Sequence, residues 1–240
     1  MKRFAILLAV LCTMASAATA QKQSLGVQLG FTEPILRENT ASDTKKLSNT
    51  TVINGLKVGF IYDATLVKGF GMTLGLNYCF AAYAGKWTVE NQVYVAKKVR
   101  TSHLMHSLEL PIEWQYKFNI ATDTWLIAYT GPTLQYNFSF KSTVARRNEA
   151  TGQTSSESSN HYQTDADNDG NLDYSPFNIQ WGVGAGFQYK NYYIRGGYNF
   201  GIYNHYRDNA FTMTDGTTSY SMRARFDEWS IRLGIYFLNF

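Results

Sequence analysis

The sequence predicts an all-β chain that folds as one eight-stranded antiparallel transmembrane β-barrel, with short periplasmic turns and long extracellular loops. Apolar and polar residues alternate with period two in eight segments. The connections between these segments alternate strictly between short and long. Small residues repeat on the polar face of the segments, where a soluble sheet would carry many Lys and Glu. These three observations favour a narrow barrel with a polar interior.

The bulk composition agrees with a membrane sheet. The chain has 240 residues, of which 15% are aromatic and only 17% are charged, against roughly a quarter charged in a typical soluble domain. Its mean hydropathy is −0.27, and no apolar stretch after residue 20 reaches the roughly 20 residues of a spanning helix. A membrane crossing must therefore use a closed sheet, because lipid offers no partners to an open sheet edge.

The N-terminus has the features of an export signal. Lys2 and Arg3 precede an apolar stretch from Phe4 to Met14, which is too short for a membrane anchor. Small residues lead up to Ala20, so we expect a signal peptide over 1–20 and the barrel domain over 21–240. Cleavage would remove two of the 22 basic residues, leaving 20 against 18 acidic. This near-neutral charge gives no reason to expect nucleic-acid binding.

The first four strands are predicted from unbroken apolar rows at alternate positions. They are Ser24–Thr32, Asn54–Asp63, Phe70–Ala82 and His106–Phe118. Their apolar rows run from Leu25 to Phe31, Leu56 to Tyr62, Phe70 to Phe80 and Leu108 to Phe118. The first two are the marginal cases against the roughly 9–11 residues that a tilted membrane strand needs.

The last four strands follow the same rule with one irregularity. They are Thr124–Phe140, Phe177–Tyr189, Tyr192–Asn204 and Arg225–Phe240. In Thr124–Phe140 the apolar row changes parity, from Trp125, Ile127 and Tyr129 to Leu134, Tyr136, Phe138 and Phe140. Gly131-Pro132 lies at the change and predicts a β-bulge there.

The connections predict the topology and the cellular location. The short ones are Ala64–Gly69, Asn119–Asp123 and Lys190–Asn191, and the long ones are Glu33–Ile53, Tyr83–Met105, Lys141–Pro176 and His205–Arg223. All short connections fall on one side of the sheet. In outer-membrane barrels the short turns are periplasmic and the long loops extracellular, which predicts the cell outer membrane as the location.

Charged residues on the polar face are the first candidate site. Four are basic and four acidic: Lys57, Asp63, Glu109, Glu113, Lys117, Arg195, Glu228 and Arg232. The interior of an eight-stranded barrel is filled by side chains rather than by open water. We therefore expect a structural network of ion pairs, and the alternative is a narrow conductive path.

An acidic segment in the third long connection is a candidate calcium site. Its oxygen-bearing residues are Asp165, Asp167, Asp169, Asn171 and Asp173, with Gly170 at the position where a tight calcium loop turns. Pro176 stands where a full EF-hand loop has its bidentate Glu. The alternative is a solvated acidic loop, and we expect only weak affinity for Ca²⁺.

Residues at the start of the fourth strand and just before it allow two further interpretations. Ser102, His103, Ser107 and Glu109 are of the types that a lipid-modifying enzyme would need, with His106 nearby, but many loops offer them. Separately, Lys97, Lys98 and Arg100, and also Arg146-Arg147, are candidate contacts to lipopolysaccharide phosphates. Solvated loops are the alternative for both.

Three segments carry a family resemblance. They are Leu108–Phe118, with its Leu-Glu-Leu-Pro start, the glycine-rich Trp181–Phe187 and the closing Ile231–Phe237. With them the chain resembles the eight-stranded outer-membrane barrels of Gram-negative bacteria, of the porin-family or PorT-like type. The resemblance implies an outer-membrane protein and leaves open a part in the assembly of secretion machinery.

The sequence thus favours a small outer-membrane barrel with a structural or surface-interaction role. We expect it to be non-enzymatic, with no cofactor other than the candidate Ca²⁺. Expected partners are outer-membrane lipid or lipopolysaccharide and an extracellular ligand or secretion partner. The alternatives are a narrow porin, a secretion-associated barrel and a lipid-modifying enzyme. A secreted lipocalin-like barrel would need an apolar lumen, which the polar face disfavours.

Overall fold

The computed structural model consists almost entirely of antiparallel strands. It describes residues 22–41, 48–90, 97–163, 174–206, 212–215 and 218–239. The strands are β1 Lys22–Ala41, β2 Ser48–Val52, β3 Asn54–Val67, β4 Phe70–Ala84, β5 Thr88–Glu90, β6 Lys97–Ala121, β7 Thr124–Asn148, β8 Thr154–Asn160, β9 Phe177–Tyr189, β10 Tyr192–Gly201, β11 Thr212–Asp215 and β12 Thr218–Asn239. A short 3-10 helix covers His161–Gln163.

Eight of these strands form a closed ring. The order around the ring is β1, β3, β4, β6, β7, β9, β10 and β12, and pairing of β12 with β1 closes it. Every pairing is antiparallel. The predicted eight-stranded antiparallel barrel is confirmed, and β9 has the predicted bounds.

Three tight turns lie at one end of the ring, which we name the turn end. They are Lys68-Gly69, Thr122-Asp123 and Lys190-Asn191. The backbone φ is positive at Lys68 (44°), Gly69 (88°), Asp123 (56°) and Lys190 (53°). Positive φ is what two-residue hairpin turns require to match the twist of their strands. The short connections therefore share one side, as predicted.

The opposite end, the loop end, differs from the sequence prediction because hairpins replace much of the expected loop. There β2 pairs with β1, β5 with β6, β8 with β7 and β11 with β12. The predicted loop 141–176 contains the end of β7 and all of β8. These extensions carry few apolar residues, so the apolar alternation that reveals the barrel strands is missing from them.

The two faces of the ring differ in chemistry. Apolar side chains point outward and are open to the surroundings, as for Leu29 and Phe177, which are each 60% exposed. The inward face carries buried polar side chains and many glycines. At Gly184 a Cβ atom would lie 2.2 Å from Cζ of the inward-facing Tyr129. Glycine is needed there because the ring of Tyr129 fills that space.

The predicted bulge at Gly131-Pro132 is wrong. Residues 130–133 pair in regular register with β9, and the register with β6 is the same at Thr130 as at Thr133. The apolar residues Ile127 and Tyr129 simply face the lumen and are buried. The register shift lies instead near Phe138, between the pairs His106–Ser139 and Ser107–Asn137. It turns Phe140, which was expected on the outward face, into the barrel.

Candidate functional site

The eight charged residues predicted to face the lumen all do so. Seven of them are buried, and the side chain of Lys117 is 12% exposed. They form two clusters, one toward the loop end and one toward the turn end. Burying a charge is unfavourable unless it is paired and hydrogen-bonded. The pairing within each cluster therefore decides whether the lumen is stable.

The cluster toward the loop end has one cation between two carboxylates. Lys57 Nζ lies 2.6 Å from Glu109 Oε2 and 2.5 Å from Glu228 Oε1. Gln135 Nε2 donates to Glu109 Oε1 at 3.2 Å. Glu228 Oε2 is buried and accepts no hydrogen bond from the described residues. This cluster therefore carries one carboxylate more than its single lysine balances.

The cluster toward the turn end is centred on Arg195, whose side chain is fully buried. Arg195 lies 3.2 Å from Glu113 and 3.4 Å from Asp63. Glu113 also pairs with Arg232 at 2.8 Å, and Asp63 with Lys117 at 2.8 Å. Three cations here face two carboxylates, so the excess positive charge offsets the excess carboxylate of the other cluster.

Aromatic rings pack against these cations and across the turn end. The ring of Tyr129 lies 5.6 Å from the Arg195 guanidinium and 5.4 Å from that of Arg232. At the turn end Lys22 Nζ lies 5.6 Å from the ring of Trp125. Trp125 thus faces the opening of the barrel. All three contacts are within the range of cation–π attraction.

An apolar cluster, here named the cap, covers the lumen at the loop end. Its buried residues are Leu36, Ile53, Cys79, Ala81, Met105, Phe140, Tyr162, Tyr174, Tyr206, Ala224 and Phe226. Ring centroids lie 5.6 Å apart for Phe140 and Phe226 and 5.0 Å apart for Tyr174 and Tyr206. The charged clusters therefore lie between an apolar cap and an aromatic contact at the turn end.

The structure does not bring together the residues of the catalytic interpretation, because His103 and His106 lie on opposite faces of β6. His106 points outward, with Nδ1 2.7 Å from the Tyr78 hydroxyl. His103 lies on the inward side and stacks on Phe140. Glu109 is bound to Lys57, and Ser107 receives a hydrogen bond from Gln135 at 3.4 Å. The expected residue types therefore do not converge.

A different set of residues converges at the loop end. Ser142 Oγ lies 2.8 Å from His103 Nδ1 and 2.6 Å from His161 Nε2. The residues come from β6, β7 and the 3-10 helix. Burial lowers the pKa of His103 and the pKa of His161 from their ordinary values. Both imidazoles are therefore neutral at neutral pH, and one hydroxyl joins them.

The two basic groups singled out in the sequence come together in part, since Lys97 and Arg146 lie on the opposite face of β6 and β7 from Lys98 and Arg147. The β6–β7 register pairs Lys98 with Arg147 and Val99 with Arg146. Arg100 lies two residues from Lys98, on the same face of β6. We name the side chains of Lys98, Arg100, Lys141 and Arg147 the basic column, because β6 and β7 place them on one face toward the loop end.

The candidate calcium ligands Asp165, Asp167, Asp169, Asn171 and Asp173 lie outside the described residues. Calcium binding stays a prediction. Among the residues that the structure does describe, no group of three or more His, Cys, Asp or Glu side chains is placed to hold a metal ion. The described part of the chain also has no helix long and apolar enough to cross a membrane.

Sequence reasoning missed Ser142 and His161 because both lie in the predicted loop. Nothing in their spacing relates them to His103, which is 39 residues before Ser142. It also missed His205, which is buried at the loop end with its Nδ1 donating to the Ser175 carbonyl at 2.9 Å. Burial lowers the pKa of His205 to about 4. These contacts follow from the hairpin register and the cap, neither of which has a local sequence signal.

The chain is similar to known proteins at the level of family and of structure. A family model described as outer membrane protein beta-barrel domain matches residues 19–207. A search of the curated proteins found no match. Among solved structures the chain is similar to Ail, the attachment invasion locus protein of Yersinia pestis, in complex with the heparin analogue sucrose octasulfate. That match has 12% identity and a TM-score of 0.33, and covers 91% of this chain and 98% of Ail.

Two further solved structures are similar. Neisserial surface protein A is 13% identical, with a TM-score of 0.31, and the match covers 90% of this chain and 99% of that one. The outer membrane protease OmpT from Escherichia coli is 11% identical, with a TM-score of 0.31, and the match covers 91% and 98%.

Proposed function

Because this chain belongs to the outer membrane protein beta-barrel domain family, we propose that it is a sealed, non-enzymatic surface barrel whose hairpins contact lipopolysaccharide. The barrel lies in the outer membrane, with its turn end in the periplasm and its loop end outside the cell. The outward apolar rows form the lipid-facing band. The divergence of His103 and His106 supports a non-enzymatic role.

The observation that carries the proposal is the direction of the basic column. On β6 the lipid-facing row continues through His106 and Leu104 to Arg100 and Lys98. On β7 the register places Lys141 opposite Leu104, and Arg147 opposite Lys98. Arg100 is four positions away from Leu104, or about 13 Å along a strand. The column therefore rises from the lipid boundary on the side that faces neighbouring lipids, where lipopolysaccharide carries its phosphates.

Charge balance supports an anionic partner. The loop-end ribbon of residues 88–90, 97–104 and 139–160 carries six Lys and Arg against three Asp and Glu, a net charge of +3. Glu149 lies 3.0 Å from Lys98 and 3.8 Å from Arg147, in exposed pairs that contribute about 0–1 kcal/mol. Within the described residues Arg100 and Lys141 form no ion pair. These cations are available to phosphate, which Arg binds in bidentate geometry.

Removing the outer part of the column should weaken binding to lipopolysaccharide. A basic residue near an anionic lipid surface contributes about 1 kcal/mol. The triple variant Lys98→Ala, Arg100→Ala, Arg147→Ala is therefore expected to bind purified lipopolysaccharide about 100-fold more weakly. Refolded protein in nanodiscs would be titrated and binding followed by calorimetry at two salt concentrations. The wild-type affinity should fall with salt, and that of the variant should change less.

The matched control removes cations from the turn end. Lys68→Asn and Lys190→Asn keep a residue type that tolerates the positive φ of those turns. This variant should bind lipopolysaccharide as the wild type does. Equal affinity of the triple variant and the wild type would contradict the proposed contact, and so would an equal loss in the control.

The filled lumen predicts that the barrel does not conduct ions. The two charge clusters, the cap and the contact between Lys22 and Trp125 occupy successive levels of the interior. Protein shown to be folded by its gel shift between boiled and unboiled samples would be inserted into planar bilayers. We expect no conductance steps above the baseline noise. Stable openings of reproducible size would contradict the sealed barrel and favour the narrow-porin alternative.

A further inference from the structure

The cluster of His103, Ser142 and His161 has a geometry that neither the barrel nor the basic column requires. We propose that it is a binding site for one divalent transition-metal ion, of the Cu²⁺ or Zn²⁺ class, which enters from outside the cell. The inference goes beyond the proposed function and does not rest on it. It rests on the convergence and the orientation of two imidazoles.

The convergence is direct, because one nitrogen from each ring points at the same atom. His103 Nδ1 is 2.8 Å and His161 Nε2 is 2.6 Å from Ser142 Oγ. A metal ion there would be about 2.0–2.1 Å from each nitrogen. Each ring would therefore have to move by only about 0.5–0.8 Å, given its present distance to Oγ. The hydroxyl would rotate away and leave its place to the ion.

Neighbouring rings hold both imidazoles in orientation. Phe140 stacks on His161 with 4.7 Å between centroids and on His103 with 5.6 Å. Tyr83 stacks on His103 from another direction at 5.8 Å, and Tyr174 meets His161 edge-on at 4.9 Å. Ligands whose rotamers are fixed by packing lose little freedom when they bind a metal. The two rings are therefore preorganised ligands.

The charge near the two rings also favours a cation. The carboxylate of Glu38 acts electrostatically on both rings. It accepts hydrogen bonds from Tyr206 at 2.7 Å and from Asn49 at 3.2 Å, which fix its position. A negative charge near the two imidazoles stabilises a bound dication.

The donor set predicts which ions bind. Imidazole suits Zn²⁺ and Cu²⁺ rather than Ca²⁺ or Mg²⁺, and Cu²⁺ is bound most tightly among the first-row divalent ions. Among the described residues only two imidazoles could bind the ion, so water molecules must complete its coordination. Cu²⁺ is therefore the best probe, because nitrogen hyperfine coupling in its electron paramagnetic resonance spectrum counts the imidazoles bound.

The test titrates untagged, refolded protein with Cu²⁺ and records the spectrum. We expect one ion with two imidazole nitrogens. The chain has four histidines, so His106→Ala is a matched control, and it should leave the two-nitrogen spectrum unchanged. His103→Ala or His161→Ala should leave one nitrogen and weaken binding at least about ten-fold, since loss of even a supporting partner of a ligand typically weakens binding that much.

The Ser142→Ala variant distinguishes two arrangements. In one the metal ion displaces the hydroxyl, and in the other the hydroxyl is a metal ligand. The substitution removes the group that occupies the metal position, so affinity should stay the same or rise. A ten-fold loss in this variant would overturn the displaced-hydroxyl arrangement. A wild-type spectrum without two nitrogens would overturn the site itself, and so would a two-nitrogen spectrum in the variant lacking both His103 and His161. The gel shift shows that each variant is folded.

Discussion

Replacing Arg195 with Met is expected to lower the free energy of unfolding of the barrel by about 3–5 kcal/mol, or to prevent refolding. Arg195 is fully buried and pairs with both Asp63 and Glu113. It also donates to Gln115 Oε1 at 2.7 Å. Removing the guanidinium leaves two carboxylates with one cationic partner fewer in a buried site. Urea unfolding in detergent, followed by tryptophan fluorescence and by the gel shift, would measure the loss.

Lys98→Met is the matched control, since it removes a cation from an exposed pair. The side chain of Lys98 is 40% exposed and lies 3.0 Å from Glu149. Exposed pairs contribute about 0–1 kcal/mol, so this variant should unfold close to the wild type. If Arg195→Met unfolded within about 1 kcal/mol of the wild type, the turn-end cluster would not be the stabilising core inferred here.

Gly184→Val is expected to destabilise the barrel by about 3 kcal/mol through overpacking. A Cβ atom at residue 184 would lie 2.2 Å from Tyr129 Cζ and 2.6 Å from the backbone oxygen of Gly196. Tyr129 also lies over Gly197, where a Cβ would meet its hydroxyl at 2.5 Å. The ring of Tyr129 lies over this glycine pair and also packs against the guanidinium groups of Arg195 and Arg232, which limits its movement. The same urea unfolding assay measures the effect.

Gly196→Ala provides the control from a neighbouring strand. A Cβ at residue 196 would meet no atom closer than 3.9 Å, so the change should stay within about 0.5 kcal/mol. The double variant Gly184→Val, Tyr129→Ala should recover part of the loss, because the inserted side chain then occupies space left by the ring. Strictly additive losses in that double variant would show that Tyr129 is not what excludes a side chain at residue 184.

The fold was predictable wherever one face of a strand meets lipid. Phe177–Tyr189 alternates throughout and was placed correctly. The alternation rule failed where apolar side chains do not face lipid. Ile127 and Tyr129 are apolar yet face the lumen, so the change of parity was wrongly assigned to a backbone bulge. Above the lipid, the start of β6 has no apolar row, and its residues before His106 were assigned to a loop.

The candidate sites were predictable in part, for a related physical reason. The odd or even position of a residue along its strand indicates whether its charge faces inward. It does not indicate which residues form ion pairs with each other. The approach of His103 and His161 to Ser142 depends on a bulge near Phe138 and on a helix of three residues. The basic column depends on a register that brings Arg147 beside Lys98. Such information lies in long-range pairing, which a single sequence does not display.

The ion pairs in the lumen have a consequence for how the barrel is assembled. Each of the six pairs among the described residues joins strands that are not neighbours in the ring, for example β3 with β6 and β6 with β12. No hairpin, and no open sheet that has yet to curl, can neutralise these charges. An unclosed intermediate must keep its future interior in contact with water. Four of the six pairs join β3 or β6 to β10 or β12, so these pairs form only as the sheet closes, and closure of the ring is coupled to burial of the charges.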